Sequence, residues 1–253
     1  MNPMLETEQA ISLIRKSNRI VALSGAGIST EAGIPDFRGP GGIWEDPRVL
    51  AQLSISGFRG DPEGFYRTSM KLFSMIASAK PTFAHRLLAR LEELGKLKAV
   101  ITQNIDGLHR AAGSKEVYEL HGTYKTGHCT ECGAFFEMDG FYSEIASGGL
   151  RFPQCPECRV PIKPDIVLFE ELLPVDAWNA SVRAAETCDL MLVFGSSLVV
   201  YPAAELPMIA LESRAHLVIV NLEPTSYDNL ATVAIRGRLG DFCKIALATF
   251  TLV

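Results

Sequence analysis

The stretch Val21–Gly39, VALSGAGISTEAGIPDFRG, decides how the rest of the chain is read. An apolar run over Ile20–Leu23 ends at a nearly bare backbone, Gly25, Ala26 and Gly27, and within ten residues the chain delivers Asp36, Phe37 and Arg38 together. Unbroken apolarity suits a strand buried on both faces, and a glycine turn at its carboxyl end lets a ligand approach the main-chain N–H groups closely. Alone, the turn is a weak signal: Ser29 and Gly33 do not complete G-x-G-x-x-G, and an apolar strand followed by a glycine turn is common in α/β proteins. Dinucleotide binding and an ordinary turn both stay open on this feature.

Similar runs recur at 19–25, 98–104, 190–197 and 216–224, and amphipathic segments lie at 6–16, 83–94, 176–186, 203–212 and 241–249. Strand and helix alternate, which predicts a doubly wound parallel α/β sheet. Two stretches break the alternation, residues 40–80 with clustered Gly, Pro and aromatics, and residues 123–163 with two cysteine pairs. They are expected to be insertions forming a smaller domain, with 1–39, 81–122 and 164–253 making the large one.

The 253 residues are 47% apolar and carry a formal charge of -5, enough for a sizeable core and without an overall basic field to hold nucleic acid or an anionic membrane. The start, MNPMLETEQA, lacks a secretion pattern, and runs such as Leu190–Phe194 fall far short of the roughly 18 apolar residues that span a bilayer. The expectation is a soluble, cytoplasmic protein. Cys188 and Cys243, each alone in apolar surroundings, read as core residues.

The other four cysteines form CTEC (Cys129, Cys132) and CPEC (Cys155, Cys158), separated by 22 residues. Each C-x2-C knuckle places two thiolates on one side of a tight turn, and four close a zinc tetrahedron with no position left for water. Zinc there is structural, and about 40 residues need it, because so short a segment buries little core. Two disulfides or unrelated thiols are the alternatives. His128 beside Cys129 reads as a bystander.

Polar residues gather at further strand ends: Gln103, Asn104, Asp106 and His109 in TQNIDGLH, Gly195, Ser196 and Ser197 in GSS, and Asn221 and Glu223 in NLEP. Ligands of open α/β sheets collect at that carboxyl edge, so these suggest one crevice. His121, in YELHG at the mouth of the cysteine insertion, is either a satisfied turn histidine or a general base. His85 and His216 read as structural.

Taken in order, GAGIS, GIPDFRG, TQNIDGLH, HG, the two C-x2-C pairs, GSSLVVYPAAELP and VNLEPT resemble the sirtuins, NAD-dependent protein deacylases, over Val21–Asp241. The resemblance implies a Rossmann-type large domain and a small domain made of a zinc-ribbon module and a helical module, with NAD and acyl-lysine meeting in the cleft between them. It implies that Gly25, Ala26, Gly27 and Thr30 hold NAD phosphates, that Asp36, Phe37 and Arg38 belong to a flexible cofactor loop, and that Gln103, Asn104, Ile105 and Asp106 line the nicotinamide and ribose pocket. Gly195, Ser196, Ser197, Asn221, Glu223, Asp241 and Phe242 would surround the adenosine half. His121 matches the family's general base, with Asn104 and Asp106 as catalytic partners, and Val167, Phe169 and Glu170 would face the substrate backbone.

In the implied reaction the acyl oxygen attacks ribose C1′ as nicotinamide leaves, and the acyl group passes to ADP-ribose. The opening stretch then serves both ends of NAD, bare N–H groups for the pyrophosphate and a closing loop for the ribose cation. A protein mono-ADP-ribosyltransferase is the alternative enzyme; a zinc-ribbon binding module, which the acidic balance disfavours, is the non-enzymatic one.

Two positions depart from the family pattern. VLFEE places Glu170 where relatives carry glycine, which predicts a changed loop and a preference for basic residues beside the acyl-lysine. Relatives that remove acidic acyl groups carry Tyr-x-x-Arg, whereas here Tyr66 is followed by Ser69, which predicts acetyl or longer apolar acyl groups. Arg67 is the neighbouring cation in sequence.

Overall fold

Ile20 and Ala22 face one side of the central sheet while Val21 and Leu23 face the other, and all four are at most 1% exposed. A strand buried on both faces requires helices above and below, and the chain supplies them. The computed structural model describes residues 3–36 and 47–251. The first half runs α1 (Pro3–Lys16), β1 (Ile20–Ser24), α2 (Pro47–Gln52), α3 (Ile55–Gly60), α4 (Pro62–Ser78), α5 (Phe83–Glu93), β2 (Leu97–Thr102), α6 (Leu108–Ala111) and β3 (Val117–Glu119). It continues with β4 (Gly122–Cys129), β5 (Phe135–Glu137), α7 (Asp139–Ala146), β6 (Ile162–Ile166), α8 (Val175–Thr187), β7 (Leu190–Phe194), α9 (Leu206–Glu212), β8 (His216–Asn221), β9 (Val233–Arg236) and α10 (Leu239–Thr251).

The large sheet has the order β3-β2-β1-β7-β8-β9, with neighbouring strands paired parallel throughout. From β1 the chain winds outward through β2 and β3, then returns beside β1 at β7 and winds the other way. That reversal between β1 and β7 is the topological switch point at which doubly wound sheets open a crevice. One face is covered by α1, α5 and α10, with Ile14, Leu87, Leu88, Leu91, Phe242 and Phe250 buried against it. The other is covered by α8 and α9, with Ala185, Leu206 and Ala210. Each fully buried leucine of α5 stabilises the layer by about 1.5–3 kcal/mol relative to exposure. Cys188 and Cys243 are buried, one in each layer.

The interrupting segments share a third core. Phe58, Phe65, Tyr66 and Phe73 from α3 and α4 pack with Tyr124 of β4 and Tyr142 of α7, and the Tyr66 hydroxyl donates to Ile162 O at 2.6 Å. The small sheet β5-β4-β6 is antiparallel and reaches Ile166, which pairs with Gly122, so it extends past the boundary expected at residue 163. Residues 62–78, where helical spacing is visible only in places, form a single 17-residue helix whose N-cap, Asp61, accepts the Gly64 N–H at 2.8 Å. Among the described residues no helix is long and apolar enough to cross a membrane.

Candidate functional site

The loops that leave β1 and β7 lie against each other at the switch point. A Cβ on Gly25 or Gly27 would fall 2.8 Å from Gly195 O, and one on Gly195 would fall 2.5 Å from Gly27 C and Ile28 N. Gly195 also has φ +60°. The main-chain N–H groups of Gly25 and Gly27 donate to Phe194 O and Gly195 O at 3.1 and 2.9 Å. The physical role of these glycines therefore differs from the expected one: their N–H groups are engaged within the protein, and the missing side chains let the two loops touch and leave a bare crevice floor.

Behind that floor, the end of β2 is held by a buried network. Asn104 N donates to Thr102 Oγ1 at 3.1 Å, and its Nδ2 reaches Gly25 O, Ser29 Oγ and Asp106 Oδ2 at 3.2, 3.2 and 3.3 Å. Asp106 accepts from Ser29 Oγ at 2.7 Å and Leu108 N at 2.8 Å. Burial raises the Asp106 pKa, and the hydrogen bonds from Leu108, Ser29 and Asn104 pull against that rise. Gln103 Nε2 donates to Ser196 Oγ at 2.9 Å, tying the β2 and β7 ends together.

His121 follows β3, where Leu120 N donates to Thr102 O at 2.9 Å and brings the turn beside the β2 end. Its Nδ1 lies 2.7 Å from Gln103 O. A carbonyl only accepts, so the proton is on Nδ1 and Nε2 carries the free lone pair. Burial lowers the His121 pKa and the bond to Gln103 partly offsets it, so the ring is neutral at pH 7 and competent as a base. His121 O accepts Val167 N–H at 2.9 Å, which draws the following loop to the same place.

That loop is fastened on two sides. Phe169 exchanges main-chain hydrogen bonds with Leu53 and Ile55, each at 3.1 Å. Glu171 pairs with Lys163 at 2.9 Å and accepts Leu168 N at 2.9 Å. Glu170 corrects the expectation of a changed loop: it takes φ +76° itself, and its carboxylate accepts Ser56 N and Ser56 Oγ at 3.2 and 3.0 Å, capping the head of α3. Both carboxylate oxygens are thus engaged by the helical module.

One cavity of about 1050 Å³ joins these parts, and Gly25, Asn104, His121 and Ser196 line it together. Ala26, Gly27, Thr30, Asp36, Gln103, Ile105, Gly195, Ser197, Asn221 and Glu223 also line it, as do Val167, Phe169 and Glu170. Four expected residues do not. His109 is 2% exposed, with its ring against Ser24 behind the wall. Asp106 lies behind Ser29 and Asn104 and is hydrogen-bonded to both. Phe242 is 3% exposed with its ring against Phe194, and neither it nor Asp241 reaches the cavity wall, where Arg238 and the first two residues of α10, Leu239 and Gly240, stand instead. Phe37 and Arg38 lie outside the described residues. Ser69 and Phe73 of α4 line an apolar part of the cavity, whereas Tyr66 is bonded to Ile162 and Arg67 is exposed beside Glu63.

In the small domain the thiol sulfurs of Cys129, Cys132, Cys155 and Cys158 all lie within 4.8 Å of one another, and Cys132 and Cys155 are 3.9 Å apart. Sulfurs at Zn–S of about 2.3 Å in a tetrahedron stand roughly 3.8 Å apart, so this set needs little adjustment to take zinc. The N–H groups of Glu131 and Cys132 point at Cys129 Sγ, each at 3.4 Å, and would stabilise a thiolate. His128 faces Asp165 at 2.6 Å rather than the cluster.

A model of the Sir2 family matches residues 25–202. The NAD-dependent protein deacetylase 1 of Pyrobaculum aerophilum is 45% identical over 235 residues, 92% of this chain and 90% of the relative. The NAD-dependent protein deacetylase of Thermotoga maritima is 43% identical over 240 residues, 95% and 96% of the two chains. A solved structure described as Sir2 bound to acetylated peptide superposes with a TM-score of 0.88 at 39% identity, covering 98% of this chain and 99% of that one. With its family model, its relatives and its fold in agreement, this chain belongs to the Sir2 family.

Proposed function

We propose that the chain is an NAD-dependent protein lysine deacylase. The observation that carries the reading is the convergence of a neutral imidazole, His121, with the Gly25, Asn104 and Ser196 loops on one cavity. The floor has the form a dinucleotide needs, bare where the β1 and β7 loops meet and flanked by the hydroxyl-bearing Thr30, Ser196 and Ser197. NAD supplies an electrophilic ribose carbon and the ADP-ribose that accepts the acyl group.

The protein's part is positioning and one proton. Gln103, Asn104 and Ile105 form the wall beside the ribose, with Asn104 held from behind by Thr102, Ser29 and Asp106. His121 Nε2 takes a proton from a ribose hydroxyl, and the Gln103 carbonyl on Nδ1–H steadies the imidazolium that forms. Gly195, Ser196, Ser197, Asn221 and Glu223 face the adenosine half, joined by Arg238–Gly240. Val167, Phe169 and Glu170 receive the substrate backbone. Among the described residues the acyl branch, lined by Leu53, Ser69, Leu72, Phe73 and Ile105, carries no cation, which favours acetyl and longer apolar groups over acidic ones. The four cysteines hold a structural zinc that keeps the ribbon folded. Reduced zinc thiolates and a nucleotide co-substrate suit the cytoplasm.

The test is nicotinamide release from NAD with and without an acetyl-lysine peptide, in the wild type and His121→Ala. Peptide-dependent release that is lost in the variant supports the reading; release that ignores the peptide or survives the substitution rejects it.

A further inference from the structure

A serine inside a helix ordinarily either points to solvent or settles its hydroxyl on the carbonyl four residues back. Ser181 and Ser143 take the second course, with Oγ donating to Ala177 O at 2.7 Å and to Asp139 O at 2.9 Å. Ser69, midway along α4, does neither: the residue is 3% exposed, and its Oγ is buried without a hydrogen-bond partner. Four other buried side-chain atoms among the described residues share that deficit, Gln52 Oε1, His85 Nε2, His109 Nδ1 and Ser114 Oγ, and none of their residues lines the cavity. Ser69 does. Spaced at i, i+3 and i+4, Ser69, Leu72 and Phe73 share the face of α4 that borders the acyl branch. Leu53, Leu72, Phe73 and Ile105 around it have no polar side-chain atom, and the hydroxyl of Tyr66, three residues earlier, is already given to Ile162 O at 2.6 Å. An unpaired hydroxyl in so apolar a place is costly to bury, and a ligand group that pairs with it recovers that cost.

We propose that Ser69 is a specificity residue for the acyl chain, and that the enzyme prefers lysine carrying a short hydroxyacyl group over the apolar acyl group of the same length. The inference rests on the deacylase reading and refines it. A serine hydroxyl both donates and accepts, so it pairs with an acyl hydroxyl whichever way the two hydrogens turn. The remaining carbons of the acyl chain still meet Leu53, Leu72, Phe73 and Ile105, which limits the preference to one neutral polar group on an otherwise apolar chain. A carboxylate does not qualify, because a single neutral hydroxyl does not offset the burial of a full charge. A plain apolar chain fits the walls and leaves Ser69 Oγ unpaired.

The test is kcat/KM of the zinc-loaded full chain, at saturating NAD, on one peptide whose lysine carries acetyl, butyryl, or 2-, 3- or 4-hydroxybutyryl. Wild type should favour at least one hydroxybutyryl isomer over butyryl about three- to tenfold, the range that one neutral hydrogen bond supports. Ser69→Ala should bring that ratio to about one or below. The same variant should melt no lower than the wild type, because the hydroxyl it removes makes no bond within the protein. Butyryl turned over as fast as every hydroxy isomer, a preference unchanged in Ser69→Ala, or a Tm lowered by more than about 2 °C overturns the proposal. Turnover of acetyl and butyryl peptides without a hydroxyacyl preference rejects this proposal alone, whereas a wild type that turns over none of the acyl peptides rejects the deacylase reading and this proposal with it.

Discussion

Replacing Gly195 with alanine attacks the contact on which the crevice is built. Two costs add. Gly195 has φ +60°, and a residue with a Cβ loses about 1–2 kcal/mol in that left-handed region. The new Cβ would also lie 2.5 Å from Gly27 C and Ile28 N, main-chain atoms that cannot swing aside, so the β1 and β7 loops must separate. Forced expansion of a packed contact adds about 1–3 kcal/mol. The sum, about 2–5 kcal/mol, corresponds to a fall in Tm of roughly 4–20 °C for a chain of this size. Gly33→Ala isolates the first cost, because φ is +85° there and nothing lies within 4 Å of the added atom; its Tm should fall by roughly 2–8 °C. Gly27→Ala isolates the second, since its backbone is outside the left-handed region but its Cβ would lie 2.8 Å from Gly195 Cα. Melting curves of the three variants, with calorimetric NAD titrations, make the comparison. Gly195→Ala should melt lowest, and both it and Gly27→Ala should lose NAD affinity. A Gly195→Ala protein that melts no lower than Gly33→Ala and binds NAD like the wild type would refute the loop contact.

Four further outcomes follow from the structure. Because burial lowers the His121 pKa below its usual 6.5 and the ring must be neutral to accept a proton, kcat/KM should fall as pH drops through a midpoint below 6.5. His121→Ala should lose that limb together with about 10²–10⁴ of the rate, and an unchanged acid limb in the variant would assign the titration elsewhere. Metal analysis should find one zinc per chain, and chelation should melt the ribbon and lower Tm; a metal-free chain with unaltered Tm would contradict the role given to the four cysteines. At Glu170, alanine keeps the φ of +76° and loses the bonds to Ser56, while glycine loses the bonds but relieves the backbone. Glu170→Gly should therefore melt above Glu170→Ala by roughly 2–8 °C, and the reverse order would mean that the positive φ is not costly. Burial also lowers the His85 pKa to about 3. Between pH 6.5 and 3 the unfolded chain binds a proton that the folded chain does not, so stability falls by about 1.4 kcal/mol per pH unit from this group as pH drops. Urea midpoints compared at pH 6.5 and 5 should fall less in His85→Gln than in wild type.

The central sheet was legible because its strands read as unbroken apolar runs, and Leu190–Phe194 is buried along its whole length. β3 and β9, of three and four residues, are too short for periodicity to mark. The 17-residue α4 was obscured by its composition: Phe65, Tyr66 and Phe73 look like a loop cluster in one dimension and become a buried stripe only against Tyr124 and Tyr142. Within the site, strand ends identify which loops face the crevice but not which residue on a loop faces it. Asn104 and Asp106 are two positions apart, and only the first lines the cavity. Phe242 directed attention to the start of α10, yet its ring belongs to the core, and Arg238–Gly240 occupy the wall. The Gly237 and Gly240 pair just after β9 is the signal that would have found them. Glu170 was unreadable for a different reason: what settles its backbone is Ser56, 114 residues earlier in the chain.

A mass balance on one reaction vessel containing enzyme, NAD and an acetyl-lysine peptide tests the central claim most directly. The account predicts that each NAD consumed yields one nicotinamide, one freed lysine and one acetylated ADP-ribose, with no ADP-ribose left on protein. ADP-ribose attached to the enzyme or an acceptor protein, or NAD consumed while the peptide keeps its acetyl group, would contradict it.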